Sequence, residues 1–146
     1  MKLQRSLVVL LCLGALALSG CGKFKRAKEC NAFIDKVNAA LKEIEKRTAT
    51  PEGDEKEAVA EMRELAKLYE KLSQDIVGLG ITTQELKKQA TEYQQMATKA
   101  AATARQVADA IEGKDIDKAT QAQKQFDLIV KEEDQLVSSI NGLCHD

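Results

Sequence analysis

Apolar residues fall along this chain in one unbroken run followed by four periodic ones. The unbroken run is Leu7 to Leu18, twelve residues without a charge, preceded by Lys2 and Arg5. It is too short to span a bilayer as a helix, which takes about 20 apolar residues. The periodic runs repeat at spacings of three and four, the signature of amphipathic helices. The first carries Ala27, Cys30, Phe33, Ile34, Val37, Leu41 and Ile44, and the second Val59, Met62, Leu65, Tyr69, Leu72, Ile76 and Leu79. The third carries Leu86, Ala90, Tyr93, Ala97, Ala100, Ala104, Val107 and Ile111. The fourth carries Ala119, Ala122, Phe126, Ile129, Val130, Leu136, Val137 and Ile140.

The polar punctuation agrees. Thr48 to Asp54 contains the only proline, Pro51, and breaks the first run from the second. Gly78 and Gly80 end the second run. Thr82-Thr83-Gln84-Glu85 has the spacing of a capping box, in which the Thr82 hydroxyl accepts from the Glu85 amide and the Glu85 side chain reaches back. Gly113 is the expected C-terminal cap of the third helix, and Asp115 the N-terminal cap of the fourth. Short links between helices of similar length predict an all-α, antiparallel up-down-up-down four-helix bundle. A longer hairpin of the second and third helices, with the others packed on part of it, is the alternative. Glu133 interrupts the fourth stripe. The expectation is that the stripe shifts sideways and leaves Glu133 at its edge, because a buried carboxylate without a partner is costly; the competing reading is a polar contact in a ligand cavity.

The unbroken run closes on Leu18-Ser19-Gly20-Cys21. A basic start, an apolar stretch and small residues before a cysteine resemble the signal of bacterial lipoproteins. The resemblance implies that residues 1–20 are removed, that Cys21 carries diacylglycerol on its thiol, and that the new amine is acylated. Two or more acyl chains anchor a protein stably where one does not. Gly22, in place of an aspartate, implies by the same resemblance the outer membrane facing the periplasm. The division is then a signal at 1–20, a lipidated basic tether at 21–28 and a helical domain at 29–146. Lys23, Lys25, Arg26 and Lys28 in the tether suit lipid headgroups and equally suit an ordinary solvated linker. Cys12 leaves with the signal.

Two cysteines remain, Cys30 near the start of the first helix and Cys144 just past the fourth. The predicted topology puts both at the same end of the bundle. Outside the cytoplasm a Cys30–Cys144 disulfide can persist, and it would close that end. With Cys21 only nine residues before Cys30, the closed end is also the anchor end.

Composition narrows the functional classes. Two of the 22 basic side chains lie in the signal, leaving 20 against 23 acidic ones. That mild acidity and the five scattered aromatics argue against a nucleic-acid binder. His145 beside Cys144 lacks the first cysteine of a haem-attachment motif, and one histidine with two paired cysteines supplies no metal set. No nucleophile has a base beside it, and Gly78-Leu79-Gly80 lacks a phosphate-loop context. The sequence therefore predicts a protein without cofactor or metal, not an enzyme. It would be a membrane-anchored interaction or tethering module of the envelope that binds an envelope protein. The architecture is similar to small helical pilotins, lipoproteins that escort secretion components. Two other readings stand beside it: a small-ligand carrier with a cavity near Glu133, Tyr69 or Tyr93, and a purely structural lipoprotein assembling through its heptads.

Overall fold

The computed structural model describes residues 3–48 and 54–145, with side chains at 22–47 and 54–145. Four helices follow in order: α1, Leu3–Thr48; α2, Glu55–Gly78; α3, Gln84–Glu112; and α4, Ile116–His145. No strand occurs among the described residues. Most of the expected break between the first two helices, with Pro51, lies outside them, as does the side chain of Cys21.

Local chemistry accounts for most of the helix ends. Asp54 caps α2, its Oδ1 accepting from the Glu57 amide at 3.0 Å. The α2 terminus closes through Leu79 N–H to Ile76 O at 3.2 Å and Gly80 N–H to Val77 O at 3.3 Å. Gly80 then takes φ +59°, a conformation open to glycine at no steric cost. At the end of α3, the Asp115 amide donates to Ala110 O and the Lys114 amide to Ile111 O, both at 2.9 Å, a Schellman closure. Gly113 is the C-cap, as expected, but keeps a right-handed conformation; the left-handed residue is Lys114, at φ 55°. Asp115 caps α4 through Lys118 N–H at 3.1 Å and also pairs with the Lys118 ammonium at 2.8 Å.

The expected bundle is the fold. α3 lies along α2 on one flank and α4 on the other, while α1 packs chiefly on α2. The alanine face of α3 permits this close double contact, with Ala97, Ala100, Ala104 and Ala108 all fully buried. The core runs from Cys30, Phe33 and Val37 of α1 through Tyr69 and Leu72 of α2 and Tyr93 and Met96 of α3. Phe126 and Ile140 of α4 complete it. Ala27, counted into the first stripe, is exposed. Val130 of the fourth stripe is also exposed, at the flank beside the half-buried Ile129.

Candidate functional site

Three residues of α1, Arg26, Glu29 and Cys30, tie together the disulfide end of the bundle. Cys30 is bonded to Cys144 with a Cα–Cα distance of 5.7 Å, joining α1 to the end of α4. One helical turn before it, Arg26 donates to the carbonyl of Leu143. Glu29 points the other way, to the link between α2 and α3. Its carboxylate accepts from the Thr82 hydroxyl at 2.6 Å, the Thr82 amide at 3.2 Å and the Thr83 amide at 2.9 Å. Those donors, the Thr82 hydroxyl first, hold the Glu29 carboxyl down at about 2.

This corrects the predicted capping box. The N-cap of α3 is Thr83, and its side chain makes no cap bond. Thr82 does not cap the helix; it donates to Glu29, and Glu85 stands exposed in the first turn. A carboxylate from another helix has taken over the task of the local motif. It is also the better partner, because an anion bound to several N–H and O–H donors near a helix N-terminus makes stronger, charge-assisted bonds.

The second polar feature lies in the core. Glu133 is buried, in register with Phe126 and Ile140, and not displaced to the edge of its stripe as expected. The reason is that its charge has partners. Tyr69 donates to Oε2 at 3.2 Å and Tyr93 donates to Oε1. Burial pushes the Glu133 carboxyl above its ordinary value, and the two phenols partly pull it back. Burial also raises both tyrosines, with the neighbouring carboxylate adding to the effect. The rings are held in turn by edge-on contacts, Tyr93 on Phe33 at 5.8 Å and Tyr69 on Phe126 at 6.0 Å between centroids. All four helices thus meet at one carboxylate.

Each carboxylate oxygen already accepts a hydrogen bond from a phenol, and the two phenol rings pack edge-on against Phe33 and Phe126. The sequence held two usable signals for this cluster. Glu133 stands seven residues from both Phe126 and Ile140. Two tyrosines on apolar stripes also demanded a buried acceptor. Larger hollows lie at the surface. One of about 540 Å³ opens at the far tip between α3 and α4, lined by Gln106, Asp109, Asp115, Gln121 and Gln125. Among the described residues, no three His, Cys, Asp or Glu side chains gather as a metal would require. His145 is exposed beside the disulfide. No described helix is long and apolar enough to cross a membrane.

Fold and site together define a disulfide-closed, all-α four-helix bundle with a buried carboxylate shared by two tyrosines. No family model matches the chain, and no curated protein or solved structure gives a significant match.

Proposed function

We propose that this chain is a lipid-anchored protein of the bacterial envelope that acts without catalysis, as a protein-interaction or tethering module. The observation that carries the reading is the position of Cys21. It sits in α1, nine residues before the cysteine that closes the bundle. A lipid there would attach to the end where α1, α4 and the α2–α3 link are tied together by Cys30, Glu29 and Arg26. Tension from an anchored or bound partner would then load a cross-linked end instead of a fraying helix. The two phenols that already engage Glu133 support the interaction module over a carrier with a cavity in the core. Gly22 supports delivery to the outer membrane.

The test is metabolic labelling with a palmitate analogue in a bacterial host, followed by density separation of membranes. The wild-type chain should incorporate label and travel with the outer membrane, and Cys21→Ser should do neither. Equal labelling of both would overturn the anchor. Crosslinking in living cells should recover a discrete envelope protein from the wild type; recovery of none would overturn the interaction module.

A further inference from the structure

At the anchor end, Phe24 is 76 % exposed, one of the most uncovered large apolar side chains among the described residues. Lys23, Lys25 and Lys28 around it are exposed as well. Arg26 is not part of this group, since its guanidinium donates to the Leu143 carbonyl. The helical phase separates the two sets. Arg26, Cys30, Phe33 and Val37 form the inward stripe of α1. Positions 24, 25 and 28, spaced by one, three and four, lie on a single opposite stripe. No acidic residue occurs from 22 to 28.

An aromatic ring flanked by lysines on one helix face, without a carboxylate, matches the chemistry of a negatively charged bilayer surface. The ring enters the interface, and the lysine stems lie along it while their ammoniums reach the phosphates. We propose that Phe24, Lys25 and Lys28 form a docking patch for anionic phospholipid headgroups. It would seat α1 on the same bilayer that carries the Cys21 anchor, and in that respect it rests on the function proposed above. The residue that would bear the lipid precedes Phe24 by three positions on the same helix, so anchoring and docking act together. The anchor supplies proximity, and the patch supplies a preferred orientation.

The chain contains no tryptophan, so Phe24→Trp introduces a single fluorescent reporter at an exposed position. The mature protein carrying it is purified from cells and reconstituted into phosphatidylcholine vesicles with or without phosphatidylglycerol. Vesicles containing phosphatidylglycerol should blue-shift the emission and allow quenching by brominated lipid. High salt should reverse both. Lys25→Gln and Lys28→Gln should each lower the ratio of docked to undocked protein about fivefold, whereas Lys114→Gln at the far tip should change nothing. Emission typical of water in both vesicle types would overturn the patch, as expected if the lysines serve an acidic protein instead. Emission insensitive to phosphatidylglycerol and to both lysines would overturn it too. The mass of the Cys21 peptide is read from the same sample. An unlipidated Cys21 with the emission response intact refutes the anchor and upholds the patch; a lipidated Cys21 without the response does the reverse.

Discussion

Tyr93→Phe isolates the energetic weight of the buried carboxylate. The tyrosine is fully buried, and its hydroxyl donates to Glu133, which is itself 5 % exposed. Phenylalanine keeps the ring, its edge-on contact with Phe33 and nearly all the volume, so no cavity term enters. What is lost is one hydrogen bond to a charged, desolvated group, about 2 kcal/mol. An unfolding entropy of roughly 2.1 cal/mol/K per residue over about 120 residues converts this to a Tm lower by about 8 °C at neutral pH. The pH dependence sharpens the test. Burial already holds the folded Glu133 carboxyl above its ordinary value of 4.5, so ionised Glu133 costs stability at neutral pH and the cost fades as pH falls toward that value. Removing Tyr93 removes an influence that lowers the carboxyl, so the variant takes up its proton at a higher pH than wild type. The deficit of Tyr93→Phe should therefore be largest at neutral pH and shrink on acidification toward 4.5. Thermal melts followed by circular dichroism from pH 7 down to pH 4.5 supply the measurement. A shift of under about 2 °C at neutral pH, or a deficit that grows as pH falls, would refute the reasoning.

Three further perturbations probe the rest of the scaffold. Cys144→Ser opens a loop of 114 residues and should cost about 5 kcal/mol in the chain-entropy account; reductant should lower the Tm of wild type and leave the variant unmoved. Glu29→Ala removes the acceptor of three bonds at the start of α3, with an expected loss of about 1 kcal/mol and faster amide exchange at Thr82 and Thr83. Because the Glu29 carboxyl is held down at about 2, its contribution is present above 4.5 and disappears as pH falls from 4.5 through about 2, so the variant should lose less stability than wild type across that window. Lys114→Gly relieves a left-handed lysine at φ 55° and should raise the Tm by a few degrees, for a gain of somewhat under about 1 kcal/mol after glycine's added freedom in the unfolded chain; a lower Tm would show that the lysine side chain matters more than its backbone.

The parts of the structure that were legible are those governed by near neighbours in the chain. Stripes such as Leu65, Tyr69, Leu72 and Ile76 read as helix faces because each residue shares its face with others three or four positions away. Cys30 and Cys144 could be paired because the alternation of four helices carries the chain back to its starting end. Glu29, Glu133 and Asp54 escaped. Asp54 caps α2 from the edge of a segment that reads simply as a break. Glu29 acts on residues more than fifty positions away, and the nearby Glu85 offered a local motif that mimicked its role. Glu133 finds its donors 64 and 40 positions away, so its heptad spacing could signal burial but not which tyrosines would match its charge.

Alone, then, the amino-acid order determined the helices, their up-down-up-down arrangement and the end at which the cysteines meet. These follow from periodicity, turn chemistry and topology, which are properties of short stretches and of their succession. The tertiary structure decided which polar groups would be satisfied and by whom. Burying a carboxylate is unfavourable for any single helix and becomes tolerable only where others bring donors to it. That is why Glu133 sits at the centre and not at the edge, and why Glu29, not Glu85, anchors the start of α3. The same assembly turned Arg26 inward and left Phe24, Lys25 and Lys28 facing out.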